Sequence, residues 1–133
     1  MEIINIVVLS LSALLLIYAG SSRLIKPITS LCLKTYLDDP EIKLESKVDI
    51  FHEMRAGGAF TVFGGFVIAL GAIIPQLILT SFVIAVAIFL GHAFGRLVSL
   101  KADGKPNQQL SQGLFSELVL GIANTICLVI ILM

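Results

Sequence analysis

The sequence predicts an all-α fold: a four-helix bundle crossing a membrane up-down-up-down, with N and C termini outside. Three observations predict it. The composition is 57% hydrophobic and 14% charged, with a mean hydropathy of +1.02. A water-soluble domain of this size needs far more charge to cover its surface. Four apolar stretches approach the roughly 20 residues that a helix needs to cross hydrocarbon, at about 3–22, 51–74, 77–100 and 113–133. Finally, all nine Lys and Arg residues fall in two connections. Arg23, Lys26, Lys34, Lys43, Lys47 and Arg55 lie around the first, and Arg96, Lys101 and Lys105 around the third. Cytoplasmic loops attract Lys and Arg. The pattern therefore predicts a multi-pass protein of the inner (plasma) membrane with both long loops cytoplasmic.

Taken in order, the first stretch reads as a retained membrane helix rather than a signal peptide. Met1-Glu2 supplies no positive charge ahead of it, and its apolar run exceeds the usual length for a signal. Residues 24–50 form a cytoplasmic loop with a surface helix. Within it, 28–37 are apolar but too short to span, so they lie at the inner surface. Asp39-Pro40-Glu41 then starts a polar helix: a capping Asp, Pro at the first helical position, and an acid in the first turn. That helix runs into the second span, with Gly57-Gly58 as a place to bend. Only Pro75-Gln76 joins the second and third spans, which forces an antiparallel hairpin. Asp103-Gly104-Lys105-Pro106-Asn107 is dense in turn formers. The whole chain, 1–133, is one integral membrane domain.

Other residues exclude function classes. Net charge is zero, so nothing attracts a nucleic acid. Cys32 and Cys127 fall on opposite halves of the membrane, which excludes a bridge between them and leaves two small apolar fillers. Trp is absent, so Tyr18, Tyr36 and the basic residues anchor the interface. His52 and His92 lack matched metal-ligand spacing. The glycines from Gly57 to Gly71 lie inside an apolar helix, not in a phosphate loop, and no Ser sits in a nucleophile motif. The sequence therefore carries no cofactor or metal signal.

A repeat is visible. Phe51-His52-Glu53-Met54-Arg55-Ala56-Gly57 and Phe115-Ser116-Glu117-Leu118-Val119-Leu120-Gly121 share Phe-x-Glu-x-x-x-Gly. Arg23-Leu24 and Arg96-Leu97 close the spans before them. The pattern suggests a duplicated hairpin about an axis along the membrane normal.

Ionisable side chains inside a membrane need a partner or a task. Glu53, Arg55, His92, Arg96 and Glu117 gather at the cytoplasmic end of the spans, with Asp103 just beyond. Small residues at every fourth position mark faces where helices approach closely. Glu53 leads such a row through Gly57, Thr61, Gly65 and Ala69, and Glu117 lies within Gly113, Glu117, Gly121 and Thr125. A third row, Ala87, Gly91, Gly95 and Ser99, contains a small-x-x-x-small motif. Both glutamates are therefore expected to face protein. The expected cluster pairs Glu53 and Glu117 with Arg96 and Arg55, with His92 one turn deeper. Such a cluster can lock helix ends, or it can form a polar pocket for a headgroup or a proton.

Gly95-Arg96-Leu97-Val98-Ser99, Asp103-Gly104-Lys105-Pro106 and Glu117-Leu118-Val119-Leu120-Gly121, with Glu53-Met54-Arg55-Ala56-Gly57-Gly58 before them, resemble a family of small bacterial four-helix membrane proteins of unknown function. That family is distantly similar to the DoxX-like group. The resemblance covers the second through fourth spans and implies a fold and a membrane, but no activity.

The leading functional reading is an accessory or apolar-ligand-binding bundle. It would hold a lipid or quinone-like molecule, or join a homo-oligomer or a larger membrane complex. An intramembrane enzyme with Glu53 or Glu117 as acid/base and His92 assisting is the alternative. A dimeric proton-coupled transporter ranks last, because the midplane lacks charge.

Overall fold

A computed structural model describes residues 2–27, 44–106 and 108–133. Its helices are α1 (Glu2–Ile25), α2 (Leu44–Ile73), α3 (Ile78–Ala102) and α4 (Gln108–Leu132). All four are long and apolar enough to cross a membrane, and no strand occurs among the described residues. The expected capping residues at 39–41 and the apolar stretch 28–37 lie outside the described residues, as do Cys32 and Tyr36. Downstream of them, α2 is continuous from Leu44 through Gly57-Gly58 to Ile73.

Turn chemistry sets the two described breaks. Pro75 has no N–H and disfavours helical backbone in the residue before it. Ile74 accordingly turns extended, with φ −110° and ψ 105°, and a short 3-10 turn (Pro75–Leu77) leads into α3. After α3, Gly104 adopts φ +99°, a conformation that L side chains rarely take.

Contacts along the helices fix the topology. Gly20 meets Gly58 and Gly65 meets Ala13 and Ile17, so α1 and α2 run antiparallel. Gly71 packs on Ser81 and Gly64 on Ile88, joining α2 to α3 in the same sense. Gly121 packs on Leu90 and Phe89, joining α3 to α4. The result is an up-down-up-down ring. Its last seam, α1 against α4, is much shorter than the other three.

The faces that meet are small and polar as well as apolar. Buried positions recur every three or four residues, as in Asn5, Leu9, Ser12, Leu16 and Gly20 on α1. Phe82, Ala85, Ile88, Phe89 and Ala93 do the same on α3. Outward lie large apolar side chains: Ile3, Leu14 and Tyr18 on α1, Phe60, Phe63 and Phe66 on α2, Phe94 on α3, and Ile122 and Ile126 on α4. Buried instead are Ser12, Thr61, Ser81 and Asn124. Water would not tolerate so much exposed apolar surface. In lipid no hydrophobic force drives helices together, so close backbone contact and hydrogen bonds hold the bundle. Ser81 illustrates the second, donating to the Val67 carbonyl across the α2–α3 seam at 2.9 Å.

Candidate functional site

The end of α1, the start of α2, the end of α3 and the start of α4 define one end of the bundle, called here the loop end. The other end holds the termini and the Pro75 turn. The charged residues singled out in the sequence all lie toward the loop end, but the helices sort them into separate groups.

Arg96 and Glu117 form the centre of the site. Arg96 Nε donates to Glu117 Oε2 at 2.7 Å, tying α3 to α4. Both side chains are largely shielded, with 21% and 11% of their surfaces exposed. The guanidinium lies against Gly113: a β-carbon built there would make ordinary van der Waals contact with it, 3.6 to 3.9 Å from Nη2, Cζ and Nη1 of Arg96. These nearly equal distances lay the guanidinium plane face-on over the glycine. A desolvated ion pair gains little net stability, but breaking it leaves a charge without a partner. One turn toward the loop, Ser99 donates to Asp103 Oδ2 at 2.8 Å, and the Asp103 N–H bonds the Ser99 carbonyl at 2.7 Å, closing the end of α3.

Next to the ion pair lies a cavity of about 80 Å³ between α3 and α4. Its walls are Leu100, Leu110, Leu114 and Pro106, with Arg96, Ser99 and Gly104 completing it. Arg96, paired with Glu117, and Ser99, bonded to Asp103, therefore border an otherwise apolar recess.

The rest of the expected cluster is placed elsewhere. Glu53 is exposed and forms no ion pair among the described residues. Arg55 Nη1 donates to the Leu24 carbonyl at 2.6 Å, satisfying a backbone acceptor near the end of α1. Arg55 also borders a second cleft of about 290 Å³ with Pro27, Val48, Phe51 and His52, a lining that sequence reading did not assemble. His92 Nδ1 donates to the Ile88 carbonyl one turn back, at 2.9 Å. The expectation that Glu53 and Glu117 both face protein thus holds for Glu117 alone.

The small-residue rows divide in the same way. Thr61, Gly65, Gly113 and Gly121 sit at contacts between helices, whereas a β-carbon added at Gly57, Gly91 or Gly95 would meet nothing within 4 Å. The reason is geometric. An α-helix turns about 100° per residue, so a strict four-residue step overshoots a full turn by about 40°. A row of such steps winds off the contact face. On α2 the buried line is Gly58, Thr61, Gly65 and Ile68, which mixes steps of three and four and leaves Glu53 and Gly57 outside.

Sequence reading also missed Asn124. This fully buried amide donates from Nδ2 to Ser12 Oγ and to the Leu120 carbonyl, both at 2.8 Å. Its visible signal was an amide three residues beyond Gly121 in an otherwise apolar helix. Among the described residues, no group of three or more His, Cys, Asp and Glu could hold a metal.

No curated protein and no solved structure matches the chain. One family profile does, over residues 4–128, so the match takes in α1 as well as the spans whose motifs carried the resemblance. The chain belongs to the DUF4345 family, described as a domain of unknown function.

Proposed function

We propose that the chain is a non-catalytic binding bundle that holds the polar head of an amphiphile at the loop end, between α3 and α4. The observation that carries this reading is the recess beside the Arg96–Glu117 pair, which Arg96 and Ser99 line together with three leucines and a proline. Such a lining suits a carboxylate, phosphate or quinone carbonyl whose tail remains in lipid. A volume near 80 Å³ takes a head and not a whole lipid. The membrane is proposed to be a bacterial inner membrane with both loops cytoplasmic, supported by the placement of Lys and Arg. Distant DoxX-like kinship is part of the same proposal.

The acid/base alternative needs Glu53 or Glu117 free to move a proton, with His92 close enough to assist. With Glu53 exposed and Glu117 bonded to Arg96, geometry offers that reading no support. Homo-oligomers and larger membrane complexes remain compatible with the binding role.

The test is native mass spectrometry of the chain released from nanodiscs. A carboxylate-, phosphate- or quinone-headed molecule is expected to co-purify. Its retention is expected to fall about tenfold, equivalent to about 1.4 kcal/mol, in the paired replacement Arg96→Leu with Glu117→Leu. That pair removes both charges together and so leaves no unpaired ion to unfold the site. Equal retention by the folded double variant would overturn the proposal.

A further inference from the structure

Three buried polar side chains of the bundle follow one rule: each finds a partner. Thr61 bonds the Gly57 carbonyl, Ser81 the Val67 carbonyl, and Glu117 the Arg96 guanidinium. Asn124 breaks the rule. Its Oδ1 is buried without a hydrogen-bond partner, the one such side-chain atom among the described residues.

The orientation of this amide is fixed by chemistry. Oxygen and nitrogen of an asparagine are easily exchanged in a structure, and the hydrogen-bond network must decide between them. Here the atom 2.8 Å from the Leu120 carbonyl has to be the donor, because a carbonyl can only accept. The same NH₂ group reaches Ser12 Oγ at 2.8 Å. Reversing the amide would set two carbonyl oxygens against each other, so Oδ1 points away from both partners. The residue itself is 0% exposed, as is Ser12. Buried polar groups of this kind are nearly always satisfied, by protein or by an ordered molecule. In hydrocarbon no bulk water can take that part.

We infer that Asn124, braced by Ser12, is a receptor in the bundle interior for one hydroxyl donor from outside the chain. The donor is a bound water or the hydroxyl of a membrane-borne amphiphile, and the two share one chemistry: an O–H donated to Oδ1. Access fits the architecture. Ser12 and Asn124 meet across the α1–α4 seam, the shortest in the ring. Both residues are fully covered in the closed bundle, so a molecule moving within the bilayer would reach the amide by parting that sparse seam. The site is separate from the Arg96 recess, so its failure would leave that proposal standing.

The test is magnetic resonance of the full chain with ¹³C,¹⁵N-labelled asparagine in perdeuterated lipid nanodiscs. Asn5, Asn107 and Asn124 are the asparagines of the sequence. Asn5→Gln and Asn107→Gln identify the remaining signal by elimination, leaving the site untouched. One arm uses delipidated protein, the other protein extracted with its native lipids. The expected result is polarisation transfer to the Asn124 carboxamide from a proton that does not belong to the protein. Transfer that survives delipidation and disappears in D₂O assigns a water. Transfer that is lost on delipidation and restored by the extracted lipids assigns an amphiphile hydroxyl. Transfer from protein hydroxyls alone, or from no hydroxyl in either arm, would overturn the inference.

Discussion

The two hairpins carry the same sequence signal and use different faces of it. On α4, Glu117, Gly121, Asn124 and Cys127 are buried. Their counterparts on α2 by the Phe-x-Glu-x-x-x-Gly repeat are Glu53, Gly57, Phe60 and Phe63, and none of these is buried. The α2 contact face is instead Gly58, Thr61, Gly65 and Ile68, in which Gly58 and Thr61 lie one residue beyond Gly57 and Phe60, a rotation of about 100°. The first helices of the hairpins do not differ in this way. Leu9, Ser12, Leu16 and Gly20 on α1 match Phe82, Ala85, Phe89 and Ala93 on α3, and all eight are buried. One helix has turned within a repeated frame. The cause is the backbone contact available only on the turned face: a β-carbon at Gly58 would lie 2.9 Å from the Gly20 carbonyl oxygen, and one at Gly20 would lie 2.7 Å from that of Gly58. At Gly20 and Gly58 α1 and α2 touch backbone to backbone, and the cleft of their hairpin lies beyond that contact, beside Pro27, Val48 and Phe51. In the second hairpin the charged pair ties α3 to α4, and its Arg96 borders the recess between them.

The largest expected effect breaks the turned face itself. Gly58→Leu forces α1 and α2 apart and is expected to cost about 3 kcal/mol, read as unfolding in detergent or by steric trapping. Gly57→Ala, on the adjacent residue, is expected to stay within about 0.5 kcal/mol of the parent, because its new methyl meets nothing within 4 Å. If the two variants behaved alike, the rotation of α2 would be refuted.

A smaller effect separates the two glutamates of the repeat. Glu117→Gln weakens a charge-assisted bond to a shielded guanidinium and is expected to cost about 2 kcal/mol. Glu53→Gln is expected to change stability by less than about 0.5 kcal/mol, since that side chain is exposed and without an ion pair among the described residues. Equal losses from both would mean that the duplicated positions do the same job after all.

What could be read from the sequence follows from which forces act along the chain and which act between helices. The four spans were legible because a bilayer imposes length and apolarity on each segment separately. The Pro75 turn and the turn at Asp103-Gly104 were legible because they depend on local chemistry. The Arg96–Glu117 pair was legible too, as two isolated ionisable groups at one depth. Contact faces were not. Gly57 and Gly58 are adjacent and chemically identical, so only their neighbours on α1 decide which one is buried. Asn124 stayed hidden for a related reason: its partner Ser12 lies at the far end of the sequence, on a helix that meets α4 along the shortest seam.

The smallest expected effect tests the face that the ring leaves empty. Gly91 and Gly95 form a small-x-x-x-small pair, yet a β-carbon at either meets nothing within 4 Å, and Phe94 beside them is 69% exposed. Within one chain, Gly91→Ala and Gly95→Ala add a methyl to a lipid-facing surface and remove two helix-weakening residues. Stability is therefore expected to hold or rise by up to about 1 kcal/mol per site, with the mass of the detergent-solubilised particle unchanged. A clear loss of stability, or a change in that mass, would mean that another helix covers this face in the membrane. The glycines of α3 would then pack between chains as Gly20 and Gly58 pack within one.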